Sequence, residues 1–304
     1  MPTSPALSRT ALAAALAAAL TACAVHEPRT QVPMDLPAAW AGAPDAGAAA
    51  VGPDWWRGFG SPRLEALVQE ALAGSGDLRV AAQRVRQADL ALQTAGAAQL
   101  PGVSLAAGSA VSRSEGAGVG KSTSVSLSVG YEVDLWGRLA AGEQGARAAL
   151  EASRYDLEAA RITLTASVAT TYFQWLALRE RTGIARQSLE TAERVLRVVQ
   201  ARARNGVATP LEVSQQTATV LQQRTALAPL EEQARQTASA LALLLGREPV
   251  GFEVGGDEGL MTLQAPSVAP GLPSALLARR PDLRAASRRC ACAWNCAAAC
   301  GGRP

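Results

Sequence analysis

Thr123 to Arg138 reads TSVSLSVGYEVDLWGR, an alternating segment that runs directly into a proline-free stretch ending near Arg204. Successive side chains of a strand point to opposite sides. Val125, Leu127, Val129, Tyr131 and Val133 therefore share an apolar face, while Ser124, Ser126, Ser128 and Gly130 share a small, wettable one. Thr123 to Val133 matches the roughly 9–11 residues that a tilted strand needs to cross a bilayer. Few soluble architectures join such a strand to so long a helix, and this junction limits the fold more than any other feature.

Composition agrees. Aromatic residues make up 4% of the 304 residues, while 48% are apolar. Alanine dominates that apolar share, which suits close-packed helices better than a bulky globular core. The net charge is +3 with acids and bases interspersed, so no basic stripe for nucleic acid is present. His26 is the only histidine, which leaves histidine-based catalysis or metal binding little to work with.

The N-terminus reads as a targeting segment. Arg9 precedes an apolar run from Ala11 to Leu20 that is too short to span a membrane, and Leu20-Thr21-Ala22-Cys23 matches a lipobox. Residues 1–22 are then a lipoprotein signal peptide and Cys23 the lipid attachment site. Ala24 lacks the acidic character of an inner-membrane retention signal, so sorting to the outer membrane is expected. Cysteine is absent between Cys23 and Cys290, so the fold does not depend on disulfides.

Residues 23–61 read as an extended, Pro/Ala/Gly-rich arm ending in a packing anchor at Trp55, Trp56 and Phe59. Residues 62–99 form paired helices. Pro62 opens the first, with Leu64, Leu67, Val68, Ala71 and Leu72 on one face, and Asp77 caps the second after a Gly74-Ser75-Gly76 break. Residues 101–134 form a β-hairpin. Its first strand carries Val103, Leu105, Ala107, Ser109 and Val111, and Arg113–Ser122 forms its loop. Residues 138–246 form a helical hairpin. Asn205-Gly206 stops the outgoing helix, Thr209 caps the return helix and Pro210 takes its first position. Val213, Val220, Leu227, Ala234 and Leu241 keep seven-residue spacing, as an antiparallel coiled coil requires. The outgoing helix, about 67 residues, would run ~100 Å, the return helix ~54 Å and the Asp77–Gln99 helix ~35 Å. The two shorter helices together then nearly match the longer one.

Two motif-like strings carry little. Gly116–Ser122 imitates a phosphate loop, but Glu115 stands where its first glycine belongs, and a strand rather than a helix follows Lys121. Cys290, Cys292, Cys296 and Cys300 lack the paired spacing of zinc sites, and their segment reads as an irregular terminus. Glu232 and Asp282 alternate with arginines as solvated helix charges. No nucleophile, base and orienting group come together in the pattern, so neither catalytic nor metal residues are assigned, and no cofactor.

Taken in order, these residues resemble the TolC-like outer-membrane efflux proteins, in particular the lipidated, NodT-like factors of resistance-nodulation-division systems. The resemblance rests on Cys23, Trp55-Trp56, Ser75–Leu78, Tyr131–Arg138, Arg204–Ala208, Leu244-Leu245-Gly246, Gly271–Ser274 and Arg279–Leu283. It implies a mainly α protein with a membrane β-hairpin: a long coiled-coil helical hairpin plus two strands of a trimeric outer-membrane β-barrel, the first of two family repeats. It also implies a homotrimer that meets outer-membrane lipid, a periplasmic adaptor and an inner-membrane pump. Asn205, Gly206, Val207 and Ala208 would be the adaptor-contact tip. The protein would be lipid-anchored in the outer membrane of a Gram-negative bacterium and extend into the periplasm, as a passive conduit for drugs or other small compounds.

The chain departs from that pattern after Ala286. Residues 247–286 read as a linker and the start of a second repeat, but residues 287–304 form a cysteine-rich tail of a kind produced by translation in a shifted frame. Three copies would then supply six strands, where the family barrel has twelve. Alternatives are the outer-membrane component of a type I protein-export system, a periplasmic adaptor, and a truncated remnant that forms no pore. The lipoyl-like segments of an adaptor are not visible.

Overall fold

The computed structural model describes residues 52–114, 118–266, 277 and 279–299. Cys23 with its signal peptide, most of the arm, the Gly271–Ser274 motif and Cys300 lie outside the described residues. Helices α1 (Pro62–Gly74) and α2 (Gly76–Ala97) precede strands β1 (Gly102–Ser114) and β2 (Gly118–Gly130); helices α3 (Arg138–Arg204), α4 (Pro210–Leu244) and α5 (Pro281–Ala299) follow. The chain divides into two compact units, one built from residues 36–80 and 158–276, the other from residues 81–157 and 277–304.

The first unit holds the main core. Ser61 caps α1 by accepting a 3.0 Å hydrogen bond from the Leu64 backbone N–H, and Pro62 takes the first helical turn. One face of α1 then buries Leu64, Leu67, Val68 and Ala71 against Val168, Tyr172 and Leu176 of α3 and Leu241 of α4. Trp56 is buried in the same cluster, as an anchor should be, with Trp55 edge-on to it and Phe59 edge-on to Trp55. Ser75, rather than the expected Asp77, receives the Leu78 N–H, at 3.4 Å; helix α2 starts one residue earlier, and Asp77 falls in its first turn.

The coiled-coil reading holds in this unit. Val220 and Leu241 are buried, and Val213, Leu227 and Ala234 are half-buried along the same seam of α4. Arg186 to Glu231 and Arg224 to Glu193, both at 2.8 Å, tie α3 to α4 across it. Pro229 lies inside α4 at an exposed position and does not interrupt the helix. At the end of α4, Gly246 has φ 72° and its N–H bonds to Leu243, while the Arg247 N–H bonds to Ala242. This left-handed stop closes the helix and brings its backbone against Gly74.

Residues 247–266 are not a free linker. Glu258 accepts hydrogen bonds from the Ser61 hydroxyl, the Arg63 N–H at 3.3 Å and the Tyr172 hydroxyl at 3.1 Å. Arg63 reaches the Val254 carbonyl at 2.7 Å, Arg179 reaches the Gly256 and Glu258 carbonyls, and Glu180 accepts the Leu260 N–H at 2.7 Å. The segment straps α1 to α3. Burial, reinforced by the neighbouring Glu258 carboxylate, raises the Tyr172 phenol above its ordinary value.

The second unit packs on alanine. Ala141, Ala148, Leu150 and Ala152 of α3 are buried, as is Ala285 of α5. Helix α5 crosses Ala286 without a break and continues to Ala299, so the expected irregular terminus is helical where described. Alanine, arginine and cysteine tolerate a helix well enough for packing to decide. Arg288 pairs with Glu151 at 2.8 Å and Arg284 covers the Tyr155 ring at 5.2 Å, holding α5 antiparallel to the start of α3. Gln99 reaches Glu143 at 2.7 Å, joining the chain after α2 to the same helix.

Candidate functional site: the two-faced hairpin, its junction and the helical tip

Strands β1 and β2 form an antiparallel pair in which Val103 faces Val129, Leu105 faces Leu127, Ala107 faces Val125 and Val111 faces Lys121. Directly opposed residues share a face, so the apolar set of each strand merges into one stripe. On the other side Ser104 faces Ser128, Ala106 faces Ser126 and Gly108 faces Ser124, with the Ser104 and Ser128 hydroxyls 2.7 Å apart. Among the described residues nothing covers the stripe: Leu105 is 72% exposed and Val125 70%.

Two expectations about this hairpin are corrected. Arg113–Ser122 is not a ten-residue loop; the strands stay paired to Ser114 and Gly118, so only residues 115–117 connect them. A side chain at Gly120 would come within 3.1 Å of the Ser112 hydroxyl, and glycine there admits the close pairing. The strand also ends at Gly130, not Val133. Tyr131 and Val133 are exposed but lie beyond the ladder, because the chain there is turned to start a helix. The Leu135 N–H bonds to the Val133 carbonyl at 2.9 Å, and Asp134 accepts the Ala140 N–H at 2.9 Å. Glu132 pairs with Arg138 at 2.7 Å, and Gly137 takes φ 73°, a conformation that side chains disfavour. Seven residues thus convert strand into helix, with the Asp134 carboxylate taking up N–H groups of the first turn of α3 and Glu132 paired with the Arg138 side chain.

The far end of α3 closes by a matching device. Gly206 has φ 70°; its N–H bonds to Ala203 at 3.0 Å and the Val207 N–H to Arg202 at 2.9 Å, while the Asn205 amide caps Ala201. Thr209 and Glu212 form a reciprocal capping box, with the Thr209 N–H on Glu212 at 2.6 Å and the Glu212 N–H on the Thr209 hydroxyl at 3.3 Å. Those hydrogen bonds from Thr209 hold the Glu212 carboxyl below its ordinary value. Hydrogen bonds thus close both helix ends at the turn, while Val207 and Leu211 remain exposed as a small apolar knob.

A groove of about 550 Å³ lies between α3, α4 and residues 252–255, with Trp175 and Phe252 among its walls. Its arginines are already engaged: Arg186 with Glu231, Arg235 with Glu232, and Arg179 with backbone carbonyls and the Trp175 face at 4.9 Å. Among the described residues no group of three or more His, Cys, Asp or Glu could hold a metal ion, and no helix is long and apolar enough to cross a membrane.

The strap centred on Glu258 escaped the sequence reading. Its one sequence trace is the Gly255-Gly256-Asp257-Glu258-Gly259 turn between Val254 and Leu260, a polar corner flanked by residues that pack.

Comparison with known proteins follows the same outline. A family model described as outer membrane efflux protein matches residues 67–247. The chain belongs to that family. It is 41% identical over 251 residues to the pyoverdine export outer membrane protein OpmQ of Pseudomonas aeruginosa, covering 79% of this chain and 53% of that protein. The OpmQ of Pseudomonas putida is likewise 41% identical, over 292 residues, covering 91% of this chain and 62% of that one. The solved structure of the outer-membrane channel OprN superposes with a TM-score of 0.74 at 26% identity, over 91% of this chain and 64% of that one. The chain therefore spans between about half and two thirds of the length of these relatives. The efflux family consists of transport proteins rather than enzymes, and the helical hairpin with its strand pair is part of that channel fold.

Proposed function

We propose that the chain is part of an outer-membrane channel subunit of a tripartite efflux system, a passive conduit from periplasm to exterior. The observation that carries this is the two-faced hairpin joined through Tyr131–Gly137 to the 67-residue helix α3. The stripe that includes Val125, Leu127 and Val129 meets outer-membrane lipid, and the serine face meets the water-filled lumen, as in other transmembrane barrels. Tyr131 and Val133 extend the apolar side toward the membrane boundary. Three copies assemble around the pore axis, Cys23 carries the lipid anchor, and Asn205–Ala208 contact a periplasmic adaptor that links the channel to an inner-membrane pump. Chemical work is left to the pump; pore shape and lumen polarity govern passage. Small secreted compounds are the cargo class, since OpmQ is named for pyoverdine export.

The test uses the full chain expressed in a Gram-negative host and single cysteines on the two faces. In outer-membrane fractions Leu127→Cys should resist a charged maleimide, while Ser126→Cys should react with charged and membrane-permeant reagents alike. Recovery of the chain in soluble periplasm, or equal labelling of both positions by the charged reagent, overturns the proposal.

A further inference from the structure

Cys292 and Cys296 stand four residues apart on α5, which places their side chains on one helix face with Cβ atoms about 5–6 Å apart. That face meets α3. A Cβ built on Gly145 would lie 3.4 Å from the Cys296 sulfur and 3.6 Å from the Cys292 carbonyl oxygen, so the glycine leaves room beside the pair. The Arg288–Glu151 bridge and the Arg284–Tyr155 contact fix this register. Cys292 is half-buried, Cys296 is exposed, and both are free thiols. Burial, with Cys296 close by, pushes the Cys292 thiol up.

The pair is badly placed to oxidise. A disulfide needs Cβ atoms about 3.5–4.5 Å apart, closer than neighbours on successive helical turns can come without unwinding. It is well placed to share an ion. Two metal–sulfur bonds of about 2.3 Å in line put the sulfurs roughly 4.6 Å apart, a span within reach of side chains whose Cβ atoms lie about 5–6 Å apart. We propose that Cys292 and Cys296 form a two-thiolate site for a soft, two-coordinate d10 cation of the Cu(I) or Hg(II) class. Thiolates select soft ions. No third side-chain ligand stands by among the described residues, which favours linear coordination over the tetrahedral zinc pattern. Each thiol gives its proton to solvent, two sulfur–metal bonds form, and no electrons change hands. The site is independent of the channel reading.

The test uses the full chain with C23S, C290S and C300S, leaving the pair, beside a control with C23S, C292S and C300S. The control keeps two thiols, Cys290 and Cys296, on different helix faces. Hg(II) alone is the probe, read by native mass and by competition with a monothiol. The pair should bind one ion per monomer about 100-fold more tightly than the control, since a fixed second thiolate acts at an effective concentration in the millimolar range. Circular dichroism checks that both chains fold alike. Equal affinities, or ions bridging two chains in both proteins, would overturn the site.

Discussion

Placing an arginine at Val125 is the sharpest perturbation of the hairpin. Between Val103 and Val111 the stripe rises about 27 Å at ~3.4 Å per residue, or about 20 Å across the membrane at a strand tilt of roughly 40°. Val125 pairs with Ala107, midway along this stripe. If the stripe faces lipid, Val125→Arg puts a cation near the bilayer midplane at a cost of about 2–4 kcal/mol, a roughly 30- to 900-fold loss in the folding equilibrium. Ser124→Arg is the matched control: it adjoins Val125 and points to the opposite face, opposite Gly108. There the arginine meets water, and stability should change by less than about 1 kcal/mol. Folding into phospholipid vesicles, titrated with urea, gives both values. Equal losses, or a larger loss from Ser124→Arg, would refute the face assignment and with it the lumen reading of the serines.

Three further outcomes are expected. Glu258→Ala should destabilise the strap by about 1–3 kcal/mol in chemical denaturation, because it strips acceptors from Ser61, Arg63 and Tyr172; Tyr172→Phe, which removes one bond, should cost only about 0.5–1.5 kcal/mol. Gly74→Ala should cost about 1–3 kcal/mol, since its Cβ would meet the Leu245 carbonyl at 2.7 Å, whereas Gly142→Ala, with nothing within 4 Å, should raise helix stability by about 0.5–1 kcal/mol in the same assay. The capping box should make the helical hairpin acid-sensitive. Hydrogen bonds from Thr209 hold the folded Glu212 below its ordinary value of 4.5, so its contribution is present above that value and lost as pH falls through the folded one. In Glu212→Gln the acid-side slope of thermal stability should shrink; an unchanged slope would count against the cap.

The sequence was most legible where local physics decides. A run without proline, ended by Asn205-Gly206 and restarted by Thr209-Pro210, fixes a helical hairpin through backbone chemistry, and the structure places α3 at Arg138–Arg204. Alternation likewise revealed the two faces of β2, because period two is a property of the extended backbone. The strand's ends were less legible. Glycine and serine near the tip read as loop, yet they stay paired because the neighbouring strand supplies the hydrogen bonds. Tyr131 and Val133 continue the alternation, yet they leave the ladder because Glu132 and Asp134 serve the helix start instead.

The sequence by itself settled the succession of helices and strands from α1 to α4, the position of the helical tip and the family pattern, since each depends on neighbours within a few residues. Only the tertiary structure decided what Glu258, Arg179 and Ser61 do. Their partners lie far along the chain, and no local periodicity marks a carboxylate that will strap two helices together. Only packing against α3 made a helix of the cysteine-bearing segment and brought Cys292 and Cys296 beside Gly145, because α5 takes its register from ion pairs contributed by another helix.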